Sequence, residues 1–378
     1  MRKDMRESFM KRERIVFVLP QLKTGGGVRV IVELANVLAE RHEVKIVLPK
    51  GKVECTFAIS DRIIIEQVGR EPVSALQKVA NIFRTVAHVQ KVYQNDNVIV
   101  TDPIQSPLFI FARMPKLYRF VQADDYRIFD DLLLLKNRFF LYLYKAVTKL
   151  SYRKKIGYLF NSAFTHEMFE RHSGRKVPQK IVHPALNRKV FYPYEAEKPQ
   201  RDSVRLCLIA RKHPMKRFGD FVEVYQRLMQ NPKVAAEIEK VTVISHDDLS
   251  SYATAGMERV VPSCDKDIAD VMNSSDIYIF TSLWEGFGLP PLEAMGCGCA
   301  VVASDAGGIS EYAVNGENAL IYPPADTDAL YDAIVRLIED RALLQRLRIN
   351  GMQTARNFSW ERSAKMVEKY LFEKENDV

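Results

Sequence analysis

The sequence predicts an α/β chain built from two doubly wound domains. Its 378 residues suit two domains of about 100–200 residues each. Short apolar runs alternate with longer amphipathic ones, which is typical of parallel strands joined by helical crossovers. This alternation stops at the polar stretch 187–203 and then begins again. We therefore predict one domain at 1–190, a second at 191–358 and a C-terminal helix at 359–378.

The elements follow from apolar runs for strands and from apolar positions at helical spacing for helices. In the first half they are strands at 15–19, 44–48, 63–68, 98–101, 118–122 and 158–160, and a helix at 28–40. In the second half they are strands at 204–209, 241–244, 277–280 and 300–303, and helices near 217–229, 267–273, 291–296 and 326–339. Ligands of open α/β sheets bind at the carboxyl ends of the strands, so we expect both domains to face one cleft.

The net charge of +8 conceals a division between the halves. Residues 1–200 carry 35 Lys and Arg against 20 Asp and Glu, and residues 201–378 carry 20 against 27. Residues 132–155 hold seven basic residues and no acid. Such a basic, aromatic helix either lies on an anionic membrane surface or packs on the core with a solvated basic face. Because no nucleic-acid-binding module is recognisable, we predict no nucleic-acid partner.

Composition excludes several classes of protein. With 47% hydrophobic and 27% charged residues, the chain is neither collagen-like nor wholly disordered. Five scattered cysteines fit neither a disulfide framework nor a zinc site. A charged N-terminus and the lack of any run of about 18 apolar residues predict neither a signal peptide nor a membrane span. We therefore expect a cytoplasmic protein.

Residues 282–311 carry the most informative motif. The glycine loop Glu285–Gly288 follows the strand at 277–280, and Pro290 is predicted to open a helix with Glu293 in its first turn. Glycines let backbone amides approach a ligand, and a helix N-terminus attracts anions. Two carboxylates beside such a helix suit a ligand with both phosphate groups and sugar hydroxyls.

This Glu285-x7-Glu293 segment resembles the signature of the family-four retaining glycosyltransferases, which have the GT-B fold of two Rossmann-like domains. The resemblance extends over most of the chain through four further segments: 21–29, 183–191, 209–216 and 358–360. They resemble the family's N-terminal glycine loop, the segment entering the linker, its Arg…Lys element and the start of its last helix. In this fold that last helix crosses back to the first domain.

The resemblance implies a donor site for a nucleotide-diphosphate sugar. A leaving diphosphate gains negative charge, and Arg211 and Lys216 are the cations expected to stabilise it. Glu293 would bind the ribose hydroxyls, and Glu285 would lie near the transferred sugar. Arg211, Lys216 and Glu285 are thus the implied catalytic residues, with no metal or cofactor besides the donor substrate. The implied donor-binding set is Gly26, Gly27, Arg211, Lys216, Val261, Glu285, Phe287, Gly288, Leu289 and Glu293.

A rival design of glycosyltransferase holds a divalent metal with an Asp-x-Asp pair. Asp265-Lys-Asp267 matches it literally. We interpret Asp265 instead as a helix N-cap followed by a first-turn acid, and we predict metal-independent chemistry.

The acceptor side departs from the family pattern. Many relatives have a histidine where the strand at 118–122 runs into Ala123 and Asp124 in this chain. Asp102, Gln122 and Asp124 are the candidates for positioning the acceptor hydroxyl, and one of them could merely cap a loop. The family expectation is a same-face displacement in which the leaving phosphate takes the proton.

The predicted function is the retaining transfer of a hexosyl residue (rhamnosyl, glucosyl or mannosyl) to a glycan or lipid-linked acceptor, as in bacterial surface-polysaccharide assembly. The enzyme would be cytoplasmic, and the basic segment 132–155 would allow it to associate peripherally with the inner face of the cell membrane. The alternatives are a nucleotide-sugar 2-epimerase or phosphorylase of the same fold, or a non-catalytic membrane-docked scaffold. A dinucleotide-dependent oxidoreductase is excluded, because the first strand of neither predicted domain is followed by the dinucleotide-binding motif G-x-G-x-x-G.

Overall fold

The computed structural model describes residues 12–23, 25–51, 53–54, 57–128, 130, 138–195 and 201–372. Backbone contacts divide the chain into two compact units. The first comprises Met1–Asn161, Thr165–Val182 and Trp360–Val378, and the second comprises Ser162–Phe164 and His183–Ser359. Among the described residues, no helix is both long and apolar enough to cross a membrane.

The first unit is built on a parallel sheet. Its six strands are β1 (Arg14–Val18), β2 (Glu43–Pro49), β3 (Ile64–Val68), β4 (Asn97–Val100), β5 (Leu117–Val121) and β6 (Gly157–Phe160), in the order β3-β2-β1-β4-β5-β6. Its helices include α1 (Gly26–Leu38), α2 (Ala75–Val92), α3 (Arg138–Tyr152) and α4 (Ala163–Ser173). A 3₁₀ helix at Ser106–Phe111 joins β4 to β5.

The second unit repeats this plan. Its strands are β7 (Val204–Ile209), β8 (Ile238–Ile244), β9 (Glu258–Val260), β10 (Ile277–Phe280), β11 (Ala300–Ser304) and β12 (Leu320–Tyr322), all parallel in the order β12-β11-β10-β7-β8-β9. Its helices are α5 (Phe218–Gln230), α6 (Pro232–Ala236), α7 (Asp265–Ser274), α8 (Leu289–Gly296), α9 (Thr327–Glu339) and α10 (Arg341–Ala355), and α11 (Trp360–Phe372) follows in the chain.

Two six-stranded parallel sheets with helices confirm the predicted α/β fold class. Every predicted strand is present to within a few residues. Strands buried on both faces are continuous apolar runs in the sequence, so their positions can be recognised from the sequence alone. β4, β10 and β11 are buried throughout. The short strands β9 and β12 were missed, and β9 begins with the exposed residues Glu258 and Arg259.

The last helix, α11, belongs to the first unit, where it packs against α1. Glu368 of α11 accepts hydrogen bonds from Arg41 Nε at 2.8 Å and pairs with His42 Nε2 at 2.9 Å. Burial of Glu368 opposes ionisation, but these two partners outweigh it and lower the pKa of the carboxyl. α11 is thereby anchored by charge as well as by packing.

The two sheets share a feature of strand order. In each sheet the order reverses beside the first strand, between β1 and β4 in one unit and between β7 and β10 in the other. Loops after the strands that flank such a point diverge and leave room for a ligand. The predicted site residues Gly26 and Asp102 follow β1 and β4, and Lys216 and Glu285 follow β7 and β10.

Candidate functional site

An ion pair lies at the point of reversal in the second sheet. Lys216 ends the 3₁₀ helix Pro214–Lys216 after β7, and its Nζ donates to Glu285 Oε1 after β10. Ser282 Oγ donates to the same carboxylate oxygen at 2.9 Å, and Thr281 Oγ1 donates to the Lys216 carbonyl at 2.7 Å. The Lys216 and Glu285 side chains are 36% and 21% exposed. The pair is therefore fixed in position and still accessible to a ligand.

The backbone of the Glu285 loop is held by a second loop after β11. Glu285 N donates to Ala306 O at 2.7 Å, and Gly308 N donates to Glu285 O at 3.0 Å. A Cβ on Gly308 would lie 2.2 Å from the Gly286 carbonyl oxygen. Only glycine permits this approach, so the glycines at 307–308 serve to position the Glu285 loop.

α8 differs in detail from its prediction. It begins at Leu289, one residue before Pro290, so Glu293 is its fifth residue and lies in the second turn. The expectation of a first-turn acid was therefore wrong, because the helix starts earlier than the proline suggested. Glu293 is 2% exposed. Phe287 and Leu289 are also buried.

Tyr312 fixes the turn before α8. Its buried hydroxyl donates to the Gly288 carbonyl. Burial raises the pKa of Tyr312 far above that of an exposed tyrosine, and the negative charges of Glu285 and Glu293 raise it further. The phenol therefore stays protonated and acts as a hydrogen-bond donor.

Gly288 is the residue in this turn that tolerates substitution least. It has φ +79°, and a Cβ there would lie 2.7 Å from Ile309 Cγ2. We expect Gly288→Ala to lower the free energy of unfolding by about 2–4 kcal/mol, from left-handed backbone strain plus overpacking. Gly316→Ala is the matched control, with φ +77° and open space around the added methyl, and should cost only about 1–2 kcal/mol. Chemical denaturation of both variants checks this, and equal losses would contradict the packing argument.

Arg211 and Val261 follow β7 and β9 at the same sheet edge. Arg211 is half exposed, and its Nε lies 3.4 Å from Asp247 Oδ2 after β8. Val261 is exposed. The structure thus pairs Lys216 with Glu285 and pairs Arg211 with Asp247.

Sequence reasoning missed a second group of side chains that holds the Glu285 loop. His183 Nε2 pairs with Glu311 Oε2, and the other Glu311 oxygen accepts from the Ala163 backbone amide. The His183 ring lies 6.0 Å from the Phe287 ring. Ser162 Oγ donates to the Gly286 carbonyl. Glu311 is the last residue of the segment 282–311 identified in the sequence, but nothing in the sequence identified the partners of Glu311.

Asp265 and Asp267 are engaged at the start of α7. Cys264, not Asp265, is the N-cap, so that assignment was off by one residue. Asp267 accepts from Ser263 N at 2.7 Å, Ser263 Oγ at 2.6 Å and Cys264 N at 3.2 Å. These bonds lower the pKa of the Asp267 carboxyl. Cys264 and Asp267 therefore form a capping box at the start of α7.

In the first unit the glycine loop lies beside one acceptor candidate. Gly26 and Gly27 begin α1, and a Cβ on Gly27 would lie 3.7 Å from the amide of Gln122. Gln122 Oε1 is buried and has no hydrogen-bond partner among the described residues. Gln122 is thus the acceptor candidate placed closest to the glycine loop.

The other two acceptor candidates have partners. Asp102 Oδ2 accepts from Gln105 N at 2.8 Å, and burial raises the pKa of Asp102. Asp124 Oδ2 lies 3.3 Å from His172 Nε2. Asp102 is therefore the candidate that caps a loop. Gln105, missed in the sequence, is fully buried, and its side-chain amide has no hydrogen-bond partner in the described part of the chain.

Residues 256–354 match the family described as Glycosyl transferases group 1. The matched stretch contains Glu285 and Glu293. The predicted resemblance to glycosyltransferases is confirmed.

Curated relatives cover parts of the chain. The lipopolysaccharide core biosynthesis mannosyltransferase LpsB of Rhizobium meliloti is 39% identical over 103 residues, which are 26% of this chain and 29% of LpsB. The MMP alpha-(1->4)-mannosyltransferase of Mycolicibacterium hassiacum is 30% identical over 189 residues, covering 48% of this chain and 45% of that protein. The chain thus spans less than half the length of these relatives.

Solved structures cover nearly the whole chain and establish the fold. A sucrose-phosphate synthase from Thermosynechococcus elongatus superposes with a TM-score of 0.77 at 18% identity, over 95% of this chain and 98% of that one. HepE from Anabaena, in complex with UDP and glucose, gives a TM-score of 0.71 at 18% identity over 95% and 99%. These similarities confirm the predicted GT-B architecture.

Proposed function

We propose that the chain is a retaining glycosyltransferase that moves a hexosyl residue from a nucleotide-diphosphate sugar to a glycan or lipid-linked acceptor without a metal ion. The observation that carries the proposal is the accessible Lys216–Glu285 pair at the reversal point of the second sheet, next to the N-terminus of α8. A cation, a carboxylate and a helix N-terminus together suit a sugar diphosphate.

Each group has a distinct role in the proposed reaction. Lys216 and Arg211 stabilise the negative charge that grows on the diphosphate as the bond between the sugar and its leaving oxygen breaks. Glu285 lies near the transferred sugar, and Glu293 binds the ribose hydroxyls. The acceptor oxygen attacks on the same face, and its proton passes to a phosphate oxygen of the leaving group.

The donor set is completed by Gly26 and Gly27 toward the phosphates and by Val261 toward the base. Gln122 is the preferred group for orienting the acceptor hydroxyl, since its carbonyl oxygen is buried and lacks a described partner. The mannosyltransferase relatives favour a mannosyl or related hexosyl donor.

The test is a transfer assay with a panel of UDP-, GDP-, ADP- and dTDP-hexoses and saccharide acceptors. Product configuration is read by NMR from the one-bond coupling between the anomeric carbon and its proton, which distinguishes the two anomers of mannosyl as well as glucosyl products. We expect the donor's configuration to be kept and activity to survive excess EDTA. An inverted product would overturn the retaining mechanism, and a strict requirement for manganese would overturn metal independence.

A further inference from the structure

Helix α3 packs on the first unit with its apolar side outward. Its buried residues are Thr148, Ser151 and Tyr152. Its exposed large apolar side chains are Phe139, Phe140, Tyr142, Leu143, Val147 and Leu150. A surface helix of a globular protein normally turns its apolar stripe toward the core. In α3 this arrangement is reversed, and the apolar stripe is exposed in the described structure.

Two neighbouring helices extend the apolar surface. The 3₁₀ helix Ser106–Phe111 contacts both α2 and α3, and it ends at Phe111, whose side chain is 87% exposed. α2 adds four further exposed apolar side chains: Leu76, Val79, Phe83 and Val92. We call the exposed surface of residues 75–92, 106–111 and 138–152 the three-helix face.

Among Lys, Arg, Asp and Glu, the residues within the three-helix face are all basic, and one of them, Lys145, pairs with Asp130 Oδ1 next to the face at 2.5 Å. α2 and α3 each contain three Lys or Arg residues and no Asp or Glu, and the 3₁₀ helix has no charged residue. Lys78, Arg84, Arg138 and Lys149 are exposed. A second copy of the chain docking by the same face would set these cations against one another, which costs free energy.

We propose that the three-helix face binds the surface of an anionic lipid bilayer. Its aromatic and aliphatic side chains enter the boundary between headgroups and acyl chains, and its Lys and Arg residues meet the lipid phosphates. This surface is wider than the basic segment 132–155 recognised in the sequence, of which residues 132–137 lie outside the described chain. It does not depend on the donor chemistry, so its test needs no nucleotide.

The experiment is co-sedimentation of the full chain with vesicles of phosphatidylcholine alone or mixed equally with phosphatidylglycerol. We expect binding to the mixed vesicles that weakens as salt is added. Arg138→Gln with Lys149→Gln should weaken it on the order of tenfold or more, because each charge contributes about a fivefold factor. Phe111→Ser with Phe139→Ser should weaken binding at high salt as well, where the apolar contribution remains.

A control variant in the second unit distinguishes binding by the three-helix face from non-specific binding of the protein to vesicles. Lys233 and Ile349 are exposed there, and Lys233→Gln with Ile349→Ser should leave vesicle binding unchanged. Equal binding to neutral and anionic vesicles, or an effect of the control variant as large as that of the face variants, would overturn the proposal. A dimer that Phe111→Ser dissociates, without vesicle binding, would overturn it in favour of a protein interface.

Discussion

Lys216→Met is expected to lower the rate of sugar transfer by about two to three orders of magnitude. Removing one preorganised group that stabilises developing charge has that effect in other enzymes. Methionine keeps much of the length of the lysine stem but cannot balance the charge on the leaving diphosphate. Because this charge grows in the transition state, kcat should fall more than KM rises.

A neighbouring lysine provides the control for this variant. The Lys212 side chain is exposed four residues earlier, and its backbone amide donates to Asp247 Oδ2 at 2.6 Å. Lys212→Met should transfer sugar at a nearly normal rate. Steady-state kinetics of sugar transfer are measured for both variants. An equal loss of activity in the two variants would contradict a specific role of Lys216 and would show a general effect of surface charge.

Glu293→Gln is expected to weaken binding of a nucleoside diphosphate about tenfold to a hundredfold. Hydrogen bonds to a charged group contribute about 1.5–3 kcal/mol each, and the neutral amide cannot accept two hydroxyl bonds as strongly. Glutamine has nearly the same shape, which matters because Glu293 is buried in α8. Calorimetric titration with UDP or GDP measures the loss.

The ribose role can be separated from a structural one with a modified ligand. A 2′-deoxynucleoside diphosphate lacks one of the hydroxyls assigned to Glu293. Glu293→Gln should therefore reduce the affinity for this ligand less than it reduces the affinity for the ribonucleoside diphosphate. If both ligands lose affinity equally, Glu293 does not contact the ribose. Thermal unfolding without ligand shows whether the variant is folded.

The sequence predicted the sheets well because buried parallel strands are recognisable from their own residues. β10 and β11 are continuous apolar runs, whereas the three-residue strand β9 has two exposed charged residues and offers no such pattern. Helix ends were placed less accurately, since α8 starts before its prolines and α7 is capped by Cys264.

Side-chain partners were the part that sequence reasoning did not reach. His183 and Glu311 are 128 residues apart in sequence, so only the folded chain brings them together. Lys216 and Glu285 were named individually from the resemblance, but their direct pairing depends on β7 and β10 being neighbours. The outward apolar side of α3 was equally hidden, because amphipathic spacing identifies a stripe but not what covers it.

Hydrogen exchange of the full chain, with and without a saturating nucleoside diphosphate, tests the central claim most directly. The donor site proposed in the second unit predicts slower exchange at 211–216 and 285–296, with the effect lost in Lys216→Met at the same ligand concentration. Protection confined to residues of the first unit, with 211–216 and 285–296 unchanged, would contradict the account.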